Sequence, residues 1–193
     1  MEKGNSLYIE SKTFDKTDFA AVALPKGEYE NCSFRDCELS KCDLSGISFT
    51  ECSFSGCNLS LAKVSQTAFK EVKFAECKLL GLHFENCNPF LFAIDFDRCT
   101  LNLSSFYQLN LKRCRLRKSA LQEVDFTEAD LSALVIDQCD LAGAIFENTV
   151  LEKVDFRTAY NYSIDPEMNR MKKARFSLSG VAGLLEKYGI VIE

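Results

Sequence analysis

A large apolar residue returns at every fifth position from Phe14 to Phe156. The first run is Phe14, Phe19, Leu24, Tyr29, Phe34, Leu39, Leu44, Phe49, Phe54, Leu59, Val64, Phe69, Phe74, Leu79 and Phe84. The beat slips by two residues near Pro89. It resumes as Phe96, Leu101, Phe106, Leu111, Leu116, Leu121, Phe126, Leu131, Ile136, Leu141, Phe146, Leu151 and Phe156. A period of five fits neither a helix nor a strand. It fits a chain that turns after each short segment, with the beat residue and the residue two before it inside and three residues outside. Small Ser, Asn, Asp, Gly and Thr residues occupy many of the outer places, as in Cys42-Asp43-Leu44-Ser45-Gly46.

The columns set the number of segments per coil. Residues 20 apart share identity, as in Phe14, Phe34, Phe54 and Phe74, or Phe106, Phe126 and Phe146. Twenty residues is four segments, so each coil has four sides and like stacks on like.

The cysteines test this register. The chain has 10, at 32, 37, 42, 52, 57, 77, 87, 99, 114 and 139. Each lies two residues before a beat position once the slip is applied, Cys87 preceding the slot that Pro89 interrupts; the same slot is filled elsewhere by Val22, Ala62, Val72, Leu82, Ile94, Val124, Ala129, Ala144 and Val154. Cysteine therefore acts as a small buried hydrophobe. Zinc sites need close pairs and converging ligands, and successive cysteines here are five or more apart, with one His in the chain. No metal, cofactor or disulfide framework is expected.

Units such as Cys42-Asp43-Leu44-Ser45-Gly46, Ala129-Asp130-Leu131-Ser132-Ala133 and Cys139-Asp140-Leu141-Ala142-Gly143 resemble the A(D/N)LXX unit of pentapeptide-repeat proteins. The resemblance implies an all-β fold, a right-handed quadrilateral parallel β-helix. Coils ~4.8 Å apart would make a rod roughly 35 Å long. The expected organisation is an N-terminal cap over residues 1–13, the β-helix over 14–159 with a break near 86–92, and a short α-helical cap over 160–193. Within the first part, Leu7-Tyr8-Ile9 reads as a strand covering the first coil. Pro89 and Phe90 mark the break, because proline removes a backbone donor and fixes its own φ; a bulge or kink is expected there, with Leu91 carrying the next beat.

After Phe156 the beat fades. Asp165-Pro166-Glu167 reads as a helix start running to about Lys173. Ser179 caps a second helix ended by Gly189, with Val181, Leu184, Leu185 and Tyr188 on one face. Ile190-Val191-Ile192 reads as a terminal strand. C-terminal segments dimerise in several proteins of the family, which implies a homodimer through this end. Outward Val135, Ile145 and Val150 need a cover from the tail or a second chain.

Charge limits the function classes. The net charge of −5 disfavours non-specific nucleic-acid binding. The run Lys112-Arg113-Cys114-Arg115-Leu116-Arg117-Lys118 looks like a basic patch, but the columns place Arg117 between Asp97 and Asp137, with Arg157 beyond, and Arg115 beside Asp95. Such a ladder would leave little free positive potential. From Ser119 to Glu152 the chain is acidic without Lys or Arg: Glu123, Asp125, Glu128, Asp130, Asp137, Asp140, Glu147 and Glu152. Turn chemistry accounts for Asp125, Asp130 and Asp140; a negative band that attracts a basic protein surface is the functional reading.

No apolar run is long enough for a membrane span, and Met1 to Ser6 lacks a signal-peptide core. A cytoplasmic location with reduced thiols is expected. The motifs of nucleotide, metalloprotease and hydrolase sites are absent, and His83, beside Phe84, should point outward. The chain reads as a non-enzymatic protein-interaction rod. The resemblance also extends to the Cys/Phe-rich style of the Qnr quinolone-resistance proteins (Cys32-Ser33-Phe34, Cys52-Ser53-Phe54). It implies an alternative, a DNA mimic that protects DNA gyrase or topoisomerase IV, type II topoisomerases.

Overall fold

The computed structural model describes residues 7–191. The strands are β1 (Leu7–Glu10), β2 (Thr13–Asp15), β3 (Gly27–Glu30), β4 (Ser33–Arg35), β5 (Ser48–Thr50), β6 (Ser53–Ser55), β7 (Ala68–Lys70), β8 (Val72–Ala75), β9 (Ile94–Asp97), β10 (Arg115–Arg117) and β11 (Ile136–Asp137). All pair in parallel. One sheet has the order β2-β4-β6-β8-β9-β10-β11, and the other β1-β3-β5-β7. Isolated parallel bridges join the remaining segments, also 20 residues apart, as at Asp125↔Ile145. The chain is a four-sided parallel β-helix.

The first side carries Phe14, Phe34, Phe54, Phe74, Phe96, Leu116 and Ile136. The second carries Phe19, Leu39 and Leu59 through Leu141, and the third Leu44, Val64, Phe84, Phe106, Phe126 and Phe146. The fourth carries Tyr29, Phe49, Phe69, Leu111, Leu131 and Leu151. Inside, rings stack along the axis: Phe14, Phe34, Phe54 and Phe74 have successive centroids 4.8, 4.5 and 4.8 Å apart. Phe84, Phe106, Phe126 and Phe146 repeat this at 4.7, 5.5 and 5.2 Å.

Each corner follows from backbone chemistry. The residue two after the beat is left-handed in most coils, and it is seldom glycine; Leu61, Lys118, Glu123 and Glu128 have φ of 58°, 48°, 56° and 57°. That conformation costs about 1 kcal/mol in a non-glycine residue. It turns the N–H along the rod axis to the next coil, as from Glu123 N to the Ala142 carbonyl at 2.9 Å and from Lys118 N to Asp137 at 2.7 Å. Gly27 is required for another reason: a Cβ there would meet the Leu7 carbonyl of β1.

The slip is a two-residue insertion at one corner. Pairing passes from Ala68↔Asn88, 20 apart, to Val72↔Ile94, 22 apart. It returns to 20 at Asp95↔Arg115. Phe90 and Leu91 project, 66% and 47% exposed, while Phe92 is buried. The beat expected at Leu91 thus passes to Phe92, because Leu91 takes the left-handed corner. Asn88 Oδ1 accepts the Phe90 N–H at 2.9 Å. The four-stranded sheet ends at β7, just before this insertion. Val22 also differs from expectation: it is 72% exposed at the first coil.

The C-terminal end corrects two expectations. No helix follows Pro166; the coil continues, with Val150↔Arg170 and Asp155↔Arg175 bridges and Phe176 stacked on Phe156 at 5.2 Å. Phe156 and Phe176 share the first side. The expected α-helical cap is instead a pair of 3-10 helices, Val181–Leu184 and Glu186–Tyr188. Three residues per turn aligns Val181 with Leu184 and Leu185 with Tyr188 but sets the two pairs on different faces, so the four do not share one. Gly189 ends this tail in the left-handed conformation. Ile190 and Val191 form no strand, and Ile192 lies outside the described residues.

Candidate functional site

The interior offers no chemistry that reaches solvent. Nine of the cysteines are buried and Cys42 is half-buried; all are free thiols. Among the described residues no group of His, Cys, Asp and Glu is arranged for a metal. The thiols nonetheless do more than fill space. Cys52 Sγ donates to the Tyr29 carbonyl at 3.3 Å and Cys57 Sγ to Phe34 at 3.4 Å. In the same slot Thr67, Ser104, Thr149 and Asn169 donate to Leu44, Leu79, Phe126 and Phe146 at 2.8 to 2.9 Å. The slot wants a small group with a donor, which identities read as hydrophobic concealed. Burial pushes the thiols of Cys52 and Cys114 up to about 12 and that of Cys139 to about 11. They stay protonated and poorly nucleophilic at neutral pH.

His83 is exposed on the third side, its Nδ1 2.8 Å from Glu85 Oε1.

The structure divides the acidic band. Asp130 sits on the fourth side, paired with Lys112 at 2.6 Å. Burial alone would raise its carboxyl, but Lys112 and the Ser132 hydroxyl and N–H outweigh it and hold it low. Glu152, on the same side, meets Arg170 at 3.4 Å. Asp140, on the second side, accepts from Gln122 and Asn161 at 2.7 and 2.8 Å. Asp137, on the first side, accepts from Thr158 at 2.9 Å. Turn bonds are present at Asp125, Asp130 and Asp140, each of which accepts the N–H two residues on.

What remains is brought together. Asp125 and Glu147 lie on the third side, and Glu123 and Glu128 at its two corners. None has an ion-pair partner among the described residues. Lower on this side Asp165 and Glu167 hold Lys187 of the tail at 2.7 and 2.9 Å. Exposed Ile145 stands at the centre of the group, bridged to Asp125.

The basic run turns from the fourth side, where Lys112 lies, onto the first, which carries Arg115 and Arg117. Arg117 is in register with Asp97 and Asp137 as the columns require, yet it forms no ion pair within 4 Å among the described residues. Arg115 reaches Asp95 at 3.7 Å, Arg157 reaches Asp155 at 2.7 Å, and Arg113 spans two coils to Glu71 at 3.1 Å. The ladder is therefore incomplete, since adjacent strands bring Cα atoms together without forcing long side chains to meet.

The expected cover over Val135, Ile145 and Val150 is not formed by the tail. The three lie on the first, third and fourth sides, and Val135 and Ile145 are 55% and 44% exposed. In the tail, Leu184 packs against the core, while Tyr188 is exposed and donates to Glu167 at 3.1 Å.

A family model described as pentapeptide repeat region matches residues 28–104 and 47–126. Among solved structures, a trypsin-treated variant of QnrB1, a plasmid-mediated fluoroquinolone resistance protein, aligns at 17% identity with TM-score 0.47. It covers 97% of this chain and 98% of that one. HetL, a pentapeptide repeat protein involved in heterocyst differentiation regulation from the cyanobacterium Nostoc, aligns at 16% identity with TM-score 0.42. It covers 91% of this chain and 86% of that one. A search of curated proteins gives no significant match.

Proposed function

The chain belongs to the pentapeptide-repeat family, and from that premise we propose that it is a non-enzymatic protein-interaction rod whose third side docks a basic surface of a partner protein. One observation carries the reading. Glu123, Asp125, Glu128 and Glu147 share one side and its corners with no counter-charge of their own. Unpaired charge raises association rates and selects partners of opposite sign. A side-chain-filled interior leaves the outer columns as the part that can meet a partner.

A second reading names the partner. Carboxylates at coil spacing on a long support suit a surface built to hold duplex DNA, so the partner would be a type II topoisomerase, protected against fluoroquinolones. The two readings separate in a supercoiling assay with gyrase, fluoroquinolone and this protein. Restored supercoiling, lost on changing Glu123, Asp125, Glu128 and Glu147 to Gln or Asn, supports the second. No restoration and no gyrase binding at micromolar protein removes it. For the first, the same neutralised variant should lose binding to a partner isolated from host lysate with the parent protein. Retention at low salt would show that these carboxylates are turn chemistry alone.

A further inference from the structure

In the C-terminal half of this rod most of the charge that lacks an ion pair falls on two opposite sides, with Asp137 on the first and Lys172 on the fourth as exceptions. On the second and fourth sides the acids are answered locally: Asp130 by Lys112, Glu152 by Arg170, Asp140 by amides. On the third side Glu123, Asp125, Glu128 and Glu147 meet no cation within 4 Å among the described residues, and only Glu128 accepts from a side-chain amide, that of Gln108 at 2.7 Å. On the first side and its corners Arg117, Lys118, Lys153 and Lys173 have no acidic partner within 4 Å among the described residues. In a four-sided coil the first and third sides face away from each other.

Each of these two sides has an exposed apolar centre, and the two centres are ten residues apart, half a coil. Val135 lies among Lys112, Arg115, Arg117 and Asp137, with Ala133 beside it, in a shallow groove floored by buried Leu134, and is bridged to Asp155 of the next coil. Ile145 lies among Asp125, Glu147 and Glu123. A valine in a frame where Lys112, Arg115 and Arg117 outnumber Asp137 and an isoleucine in an anionic frame thus stand half a coil apart on opposite walls.

We propose that a second copy of this chain is a partner for these sides: the third side of one rod docks laterally on the first side of the next, Ile145 against Val135, with the carboxylates facing the arginines and lysines. The proposal rests on the reading of the third side as a docking surface and names one occupant for it. The contact uses different patches on the two copies. It is heterologous, leaves one free side of each sign at the ends, and grows side by side rather than closing as a two-fold dimer. Charge brings the rods together, and salt screens that attraction over about 8 Å at physiological ionic strength. The apolar centres fix the register.

Sedimentation velocity across a concentration series tests this in reducing buffer at low salt and in 0.5 M salt (about that strength screens charges beyond a few ångströms). The parent should exceed the 21.7 kDa of one chain at low salt, with mass rising with concentration, and return to one chain at high salt. A variant carrying Glu123→Lys, Glu128→Lys and Glu147→Lys should remain a single chain, as should Arg115→Glu with Arg117→Glu. Mixed in equal amounts, the two variants should associate again, because each supplies the sign the other lacks. Circular dichroism of both variants establishes that they fold. A parent that stays a single chain at low salt overturns the proposal, as does a mixture that stays dispersed. Association that survives both reversals and disappears in Leu184→Asp overturns it in favour of contact through the tail. Failure here with continued binding of a different basic partner would leave the proposed function standing.

Discussion

Thr149 shows how much a single inward slot decides. Its Oγ1 donates to the Phe126 carbonyl at 2.9 Å in a fully buried site. Thr149→Val keeps the shape and removes the donor; the Phe126 carbonyl keeps the Ala129 N–H at 3.0 Å, so the loss is that of one ordinary hydrogen bond, about 0.5–1.5 kcal/mol, measured by urea denaturation. Thr149→Cys, which restores the donor found at this slot in other coils, should recover part of the loss; no recovery would mean that the thiol bonds at 3.3 to 3.5 Å contribute nothing. The thiols also set the alkaline limit. Free thiols titrate near ~8.5, while burial holds Cys52, Cys114 and Cys139 at about 11 to 12. A raised folded value means stability is complete below the unfolded value and is lost as pH rises through the folded one. Unfolding free energy in reducing buffer should therefore fall from about pH 8.5 upward, and a flat profile to pH 11 would contradict the burial argument. The slots were legible as positions from cysteine spacing alone. Their hydrogen bonds were not, because the acceptor is 23 residues earlier, or 25 across the insertion, and only the stacked coil brings it near.

At the scale of the element, the insertion at Pro89 is the test of register. Deleting Pro89 and Phe90 returns that coil to 20 residues and places Leu91 between Phe69 and Leu111 on the fourth side. The deleted chain should fold, with its far-ultraviolet circular dichroism unchanged and thermal midpoint equal or higher, since it replaces an exposed Phe and a broken ladder by continuous pairing. Loss of cooperative unfolding would show that the insertion is required to join the two halves. The sequence made the slip visible by counting but misassigned its inward residue. Choosing between Leu91 and Phe92 depends on which backbone takes the left-handed corner, and neither side chain announces that. The tail failed for a related reason. Asp165-Pro166 carries a helix-start signal, yet Phe176 and Asn169 find partners one coil earlier, and tertiary stacking overrides the local preference.

For the whole molecule, stability is the sum of neighbouring coils rather than of distant parts. The first side runs unbroken through seven strands, whereas the fourth stops at β7. Native-state hydrogen exchange should show the slowest amides on the central strands β6, β8 and β9, and faster exchange at Phe90–Phe92 and in the tail after Phe176. Uniform protection along the rod would argue for all-or-none opening. The acidic and basic residues were all readable in the sequence, and the 20-residue columns already contained their sides. What the columns could not supply was pairing: Lys112 answers Asp130 from an adjacent coil, and Arg117 answers no acid although Asp97 and Asp137 flank it.

The left-handed corners have one more consequence. Leu, Glu, Gln, Lys, Arg, Asn and Ala all occupy them, so the backbone accepts almost any identity there once the coil above supplies its carbonyl. Structure is written in the two inward letters of each segment and address in the outward ones, and the two scripts scarcely interfere. A lineage, or a designer, can redraw the charge map of such a rod column by column while the stacked rings stay as they are.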